Sequence, residues 1–464
     1  MTSPPTGLAA RLDRFFGLAE RGTNVRTEIL AGATTFMTMA YIVFVNPAIL
    51  GKVTDTAGRQ LAFPAILTST ALVAAVMTLA MGLLANLPLA LAAGMGLNSV
   101  VAFQLVAGMK LTWPQAMGVI VAEGVAISAL VATGLRQAIV KAVPLAMKKA
   151  IGIGIGLFLA IIGFVDAGFV SRNSADPVPV ALGTGGHLRG FPVVLFALTL
   201  VLTGFLVLRR VKGALLIGIL VSTLAAVVAK AGWGDAAGFK PWEVVLPRSP
   251  VAMPDFSQLG QFSFGFWQVL GGAAAALTVF SLMLSDFFDT VGTVVAVGQE
   301  AKYIDAEGNY PRPGTVLMID SLAAVAGGAA GASSATTYIE SASGAAAGGR
   351  TGLTSVVTAI LFAACLFISP LAGVVPPQAT GAVLVLVGYF MMRDVGSLPW
   401  DDAAEAIPAF LVITVMPFTY SITNGIGAGF ISHVLLKGFS GRAREVAPLM
   451  WAAAAAFLVY FVIV

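Results

Sequence analysis

Two stretches of this chain put carboxylates inside long apolar runs. Ser281–Thr293 reads SLMLSDFFDTVGT and carries Asp286 and Asp289; Gly331–Arg350 reads GASSATTYIESASGAAAGGR and carries Glu340. A charged side chain at the centre of a bilayer costs about 2.5–3.5 kcal/mol on insertion scales. These acids are therefore expected to face a protein-lined cavity that a substrate or a proton can reach. Asp286 and Asp289 sit on one helix face about one turn apart. Two ionised carboxylates so close in a dry site repel, so one of the pair is expected to hold a proton. A carboxyl of that kind can carry a proton across a membrane, and it can also accept N–H bonds from a polar ring. Which of the two touches substrate is open, since either can instead cap a helix or bind a backbone amide. Asp289 lies nearer an expected helix break at Gly292 and is favoured for direct contact.

Glu340 follows the polar stretch Ser333–Tyr338. If residues 332–337 are unwound, their N–H groups and the start of the following helix offer donors and a partial positive charge. Glu340 then falls in the first turn of that helix, facing the same space. Thr337 and Tyr338 border it. Tyr338 offers an aromatic face and a hydroxyl to a ligand, or it anchors or packs. Asn98 has an amide that both donates and accepts, which suits a heterocycle with both kinds of edge. Glu28, Glu123 and Asp320 are lone acids of the kind that are usually structural. Thr34, Thr35 and Thr38 either bond backbone carbonyls or line the cavity.

Other chemistries are poorly served. The one cysteine, Cys365, and the two histidines, His187 and His433, have no partners at metal-ligand spacing, so no metal site and no cofactor are expected. There is no nucleophile elbow, His–Glu metal motif or phosphate-loop lysine, so an enzyme is not expected. GIGIG at 152–156 lies in mid-run without a flanking strand and reads as close helix packing. Nothing resembles a basic stripe with interleaved aromatics, so no nucleic-acid partner is expected.

The elements that must hold these residues are membrane spans. The chain has 464 residues, 58% hydrophobic and 10% charged, with mean hydropathy +0.93; soluble domains carry about 25% charged residues. Apolar runs of spanning length recur, as helices rather than a barrel. They fall near 28–50, 64–86, 94–108, 113–133, 147–166, 190–208 and 212–230, then near 269–298, 315–330, 336–349, 352–370, 376–392, 405–420 and 422–438. A polar connector, about 231–265, separates the two sets. The run 448–464 is an additional span or an interfacial helix, unless one of the others is a re-entrant half. No cleavable signal peptide is evident, and residues 1–27 read as an N-terminal segment in the cytoplasm. With that orientation the clusters Arg11–Arg26, Arg136–Lys149, Arg209–Lys212, Arg350, Arg393 and Lys437–Arg444 all fall on the cytoplasmic side. The third span of each half is Gly-broken and polar, LAAGMGLNSVVAFQ in one and GGAAGASSATTYIE in the other. Paired interrupted segments point to a transporter built of inverted repeats.

Four motifs are longer and more specific: NVRTEILAGATTFMTMAYIVFVNPAIL (24–50), AGMGLN (93–98), DFFDTVGT (286–293) and TTYIESASGAAAGGRTGLT (336–354). They resemble the Azg-like purine permeases, the adenine–guanine–hypoxanthine branch of the nucleobase–cation symporter (nucleobase–ascorbate transporter) family, from about residue 10 to the C-terminal region. The resemblance implies an all-α membrane fold of about fourteen spans in two inverted seven-span repeats, with short extended stretches in spans 3 and 10. It implies a first repeat 28–230 (core 28–133, gate 147–230), an extracytoplasmic connector 231–268, and a second repeat 269–464 (core 269–370, gate 376–464). Asn98, Asp286, Asp289 and Glu340 match the family's polar site. Ser99 and Val100 stand where a small residue and an aromatic are expected, which leaves the preferred purine open. Relatives take up purine bases with protons and many are dimers, which makes a homodimer the implied assembly.

The expected activity is import of a neutral purine by proton symport, with Asp289 and Glu340 on the ring edge and Asn98, Thr337 and Tyr338 beside them. Asp286, Asp289 or Glu340 carries the proton, and its neutralisation lets the core rock against the gate. The location implied is a bacterial inner membrane. An anion transporter or exchanger of the same architecture is the alternative, although carboxylates beside the site repel anions. A passive channel and a structural or receptor role are further readings; the last needs no ionisable groups at membrane depth.

Overall fold

The computed structural model describes residues 7–134, 142–171, 180–183, 186–240, 243–247, 249–304 and 310–463. Arg136, Lys141 and parts of both long connectors lie outside the described residues. Among the described residues, nine helices are long and apolar enough to cross a membrane, and four further apolar helices are shorter.

A short helix, α1 (Leu8–Phe16), precedes the first span. That span is two helices rather than one run: α2 (Val25–Met39) and α3 (Ile42–Leu50). Asn24 caps α2 through the Thr27 N–H. The interruption has a local cause. The Thr38 hydroxyl bonds the carbonyls of Thr34 and Thr35, which bends helices. Next come α4 (Phe63–Ala80) and the strand β1 (Leu91–Ala93). Beyond Gly94 follow α5 (Met95–Ser99), its wider-wound continuation Val100–Gly108, and α6 (Trp113–Thr133). A Thr112–Gln115 capping box starts α6.

The helices α7 (Leu145–Asp166), α8 (Phe191–Leu208) and α9 (Ala214–Trp233) complete the first half. A two-residue pair, β2 (Val170–Ser171) with β3 (Ala181–Leu182), lies between α7 and α8. The connector is tied down by its backbone: Gly260 N–H bonds Ala329 O, Ser263 N–H bonds Pro114 O and Ala252 N–H bonds Phe367 O.

The second half holds α10 (Gly272–Glu300), α11 (Pro313–Ala330), the strand β4 (Ala335–Thr337), α12 (Ser341–Ala346) and α13 (Gly352–Ala364). It closes with α14 (Pro377–Met391), α15 (Ala403–Thr419), α16 (Ile422–Phe439) and α17 (Pro448–Ile463). The helix break expected at Gly292 is absent, because α10 runs unbroken for 29 residues. One glycine weakens a helix by only about 1 kcal/mol, and a Cβ at Gly292 would meet nothing within 4 Å. That glycine opens space beside the helix and does not stop it. The final apolar run is α17, packed edge-to-face against α16 through Phe457 and Phe430 at 5.8 Å.

The two strands pair antiparallel, Leu91 with Thr337, Ala92 with Thr336 and Ala93 with Ala335. Gly94 N–H to Ser334 O and Tyr338 N–H to Ala90 O extend the ladder by one bond at each end. Extended backbone inside a membrane protein must satisfy its own polar groups; the ladder does part of this, while Leu91 N–H and C=O turn to the Thr78 hydroxyl and Thr337 N–H turns to Asp320. Against this ladder pack α3, α4, α10 and α11, with α6 on α11 and α13 between α2 and α4, while α7 packs with α14, α15 and α16, and α8 with α9 and α14. Glycines set the closest crossings. A Cβ at Gly388 would lie 2.4 Å from the Gly156 carbonyl oxygen, and one at Gly163 2.5 Å from that of Gly381, so α7 and α14 touch backbone to backbone at two levels.

Candidate functional site

A cleft of about 960 Å³ separates the two groups of helices. One wall is built from the α2–α3 interruption (Thr38, Tyr41), the turn after β1 (Gly94–Gly96), α10 (Phe288, Asp289, Gly292) and Thr336–Glu340. Facing it are Ile151 and Ile155 of α7, Leu215 of α9 and Val387 of α14. Asp289 of α10 and Glu340 of the β4–α12 segment thus open onto one space.

Asp289 is exposed to the cleft. Glu340 is half-buried at the N-cap position of α12. Its Oε1 accepts the Tyr41 hydroxyl at 2.5 Å, and its carbonyl accepts Thr38 Oγ1 at 3.4 Å. Tyr338 and Thr337 line the same wall. The Tyr338 hydroxyl donates to the Ala93 carbonyl, so it braces the turn after β1 while its ring borders the cleft. The Thr337 hydroxyl has no hydrogen-bond partner among the described residues. Asn98 and Asp286 are placed differently. Both are buried, neither lines the cleft, and neither side chain has a hydrogen-bond partner among the described residues. Of the three threonines of α2, Thr34 and Thr38 bond backbone carbonyls and Thr38 also lines the cleft.

Two of the lone acids have specific work. Asp320 of α11 accepts Thr290 Oγ1 (2.6 Å) on one oxygen, and Thr337 N–H (2.9 Å) and Thr336 Oγ1 (3.3 Å) on the other. Thr290 and Thr336 are also 2.8 Å apart. One carboxylate therefore fixes β4 against α10 directly behind the cleft wall. Glu28 of α2 accepts the N–H groups of Arg350, Thr351 and Thr354 and the Thr354 hydroxyl, at 2.6–3.3 Å. It closes the start of α13, where backbone donors lack helical partners. Glu123 is fully buried, and its carboxyl has no hydrogen-bond partner among the described residues. Tyr41 is a cleft residue that the sequence reading did not single out, and Asp320, read there only as a lone structural acid, braces the wall behind it. The only signal for Tyr41 was its position inside the 24–50 motif.

Charged side chains also line the cleft. The N-terminal end of α7 and the neighbouring helix ends bring Lys148, Lys149, Arg210, Lys212 and Arg393, together with the acid Asp394, to its lining. Lys148 Nζ stands 5.4 Å from the Phe288 ring centroid. At the other end of α7, Asp166 pairs with Lys52 at 2.5 Å. Deeper in the molecule Gln104 bridges to α16, taking the Ile422 N–H at 2.9 Å and donating to Thr423 Oγ1 at 2.7 Å. Tyr420 seals the same level edge-on to Phe103 and Phe158. The loop after α16 carries its own ion network. Hydrogen bonds from Arg442 and then Lys437 hold the Glu445 carboxyl down at about 2, and Arg442 also lowers Asp402.

Residues 26–427 match the model of the Permease family. The chain belongs to that family. The permease is 38% identical over 456 residues to adenine permease AdeP of Escherichia coli (strain K12), covering 98% of this chain and 96% of the relative. It is 37% identical over 452 residues to guanine/hypoxanthine permease PbuG of Bacillus subtilis (strain 168), covering 97% and 99%. Among solved structures, the transmembrane domain of a cyanobacterium bicarbonate transporter, BicA, superposes with TM-score 0.62 at 17% identity, over 87% of this chain and 96% of that one. The inward-facing murine Solute Carrier 26 family member A9 gives TM-score 0.57 at 13% identity, over 95% and 73%. At these identities the likeness is one of fold. The permease is thus a helical, multi-pass membrane transport protein and not an enzyme, with adenine and guanine/hypoxanthine permeases among its relatives.

Proposed function

We propose that this permease imports purine nucleobases by proton symport, binding the base in the cleft between Asp289 and Glu340. The observation that carries the reading is the convergence of these two acids, from segments fifty-one residues apart in sequence (340 − 289), on one cleft. Adenine, guanine and hypoxanthine all present ring or exocyclic N–H donors, and a carboxylate is a strong acceptor for them. The names of the relatives AdeP and PbuG support a purine as cargo. An anion as cargo is disfavoured, since Asp289 and Glu340 would repel it; the likeness to bicarbonate and other anion transporters is one of fold.

In this reading Thr337, Tyr338 and the N–H groups around Gly94–Gly96 complete the binding wall. Asn98 and Asp286 act from behind that wall. Asp286, Asp289 and Glu340 are the groups that take up the coupling proton, and no other cofactor is needed. The chain is organised as fourteen spans in two inverted repeats, with the N-terminus in the cytoplasm of a bacterial inner membrane. The core comprises 28–133 and 269–370, and the gate 147–230 and 376–464. The basic N-terminal end of α7 then faces the cytoplasm and the conformation is inward-open. Lys52–Asp166 and the Gln104 bridge close the outer side, and they are the bonds that break when the core moves against the gate. A homodimer fits the gate's exposed apolar helices, of which α8 buries least.

The test is uptake of labelled adenine in proteoliposomes, with an imposed pH gradient and a competition panel of purines and pyrimidines. Uptake should depend on the inward proton gradient and be blocked by unlabelled purines. Glu340→Gln should abolish accumulation; full accumulation by that variant removes Glu340 from the mechanism.

A further inference from the structure

We propose that Tyr41 is a positioning residue, which fixes the Glu340 carboxylate so that one defined oxygen faces the purine. The inference deepens the proposed function and rests on Glu340 being the base-binding acid.

Tyr41 occupies the interruption between α2 and α3. Tight bonds from Val43 N–H to Ala40 O and from Phe44 N–H to Tyr41 O replace the regular ladder there. The side chain is 1% exposed, yet it borders the cleft. Its hydroxyl reaches Glu340 Oε1 at 2.5 Å. One turn earlier, Thr38 donates to the Glu340 backbone carbonyl. One turn later, Gly344 is pressed onto α2 so closely that a Cβ would lie 2.0 Å from Thr35 Oγ1 and 2.7 Å from Ala31 O. The first span therefore grips Glu340 by its side chain, by its own carbonyl and by the helix it starts.

An unrestrained glutamate presents either oxygen and samples several terminal torsions. With Oε1 held by a phenol, rotation of the carboxylate breaks a charge-assisted hydrogen bond. Oε2 is left as the acceptor for ligand N–H groups. A fixed acceptor binds a planar donor edge without first losing its rotational freedom. Packing alone does not explain the hydroxyl, because phenylalanine fills the same volume.

The experiment uses the full chain in proteoliposomes, with labelled adenine and hypoxanthine as probes. Tyr41→Phe should raise KM for both by about tenfold, the loss expected for a hydrogen bond to a charged group. Vmax, protein yield and melting temperature should stay near wild type. Adding Tyr41→Phe to Glu340→Asp, whose shorter side chain withdraws from the phenol, should change KM by less than about twofold. An unchanged KM in Tyr41→Phe overturns the inference. So does a fall in Vmax and yield at constant KM, which marks a purely structural residue, or a full multiplication of the two effects in the double variant. Wild-type protein that takes up neither purine overturns the proposed function and this inference together. Wild-type uptake with an unaffected Tyr41→Phe overturns this inference alone.

Discussion

Asp320 offers a prediction whose size follows from its bonds. It lies behind the cleft wall, accepts three hydrogen bonds, and ties β4 to α10 and α11. Asp320→Ala removes all three. The two hydroxyls can recover, since Thr290 and Thr336 already lie 2.8 Å apart and can bond each other. The Thr337 N–H has no such recourse, and a buried backbone donor without an acceptor costs about 1–3 kcal/mol. Adding the charge-assisted part of the lost bonds, and subtracting the relief of no longer burying a carboxylate, the net loss is about 2–4 kcal/mol. Asp320→Asn behaves differently. Its Oδ1 can accept Thr337 N–H while its amide donates to Thr290, whose hydroxyl turns to donate to Thr336. Thermal unfolding and labelled-adenine uptake should therefore rank the asparagine variant close to wild type and the alanine variant well below both. Normal uptake and melting in the alanine variant would refute the scaffolding role. Equal loss of uptake in both variants, with both melting like wild type, would show that the negative charge is what matters and not the bonds.

Two further outcomes follow from packing and from the exposed ion network. Gly388→Leu forces a side chain into the α7–α14 crossing, where a Cβ would already sit 2.4 Å from Gly156 O. It should destabilise the protein by at least about 1–3 kcal/mol, the usual range for overpacking. Because the obstacle is backbone and cannot swing away, a melting temperature equal to wild type would show that the two helices separate at no expense. The Glu445 carboxyl is lowered from 4.5 to about 2 by Arg442 and Lys437. Its stabilising contribution is present in full above pH 4.5 and is lost as pH falls toward 2. The melting temperature should therefore drop more between pH 6 and pH 3 in wild type than in Glu445→Gln, and equal drops would remove the network from the acid response.

The spans and the principal acids were legible because burying a charge in lipid is so unfavourable that composition alone marks it. Asp289 and Glu340 stand out for that reason, and both line the cleft. Asp320 and Glu28 were visible only as lone acids of a structural kind, and their work depends on partners that come together only in the folded chain. Asp320 meets the backbone of Thr337, and Glu28 meets donors 322–326 residues away. A lone acid in an apolar run carries no mark of which it will be. Tyr41 was hidden for another reason. A tyrosine in a span ordinarily reads as packing or anchoring, and its hydroxyl matters only because the first span is interrupted beside it. The expected break at Gly292 failed because a glycine that faces open space leaves a helix intact.

The ladder between β1 and β4 also constrains how the molecule is made. Tyr338 and Ala93, which brace each other at its edge, are 245 residues apart. Until the later strand emerges from the ribosome, Ala90, Ala92 and Gly94 have no ladder partner, although Thr78 is already present to take both polar groups of Leu91. A nascent chain halted before residue 334 therefore holds unpaired polar backbone that hydrocarbon does not tolerate. The unfinished chain must keep that segment out of lipid, shielded or in water, and the pocket comes into existence only near the end of synthesis.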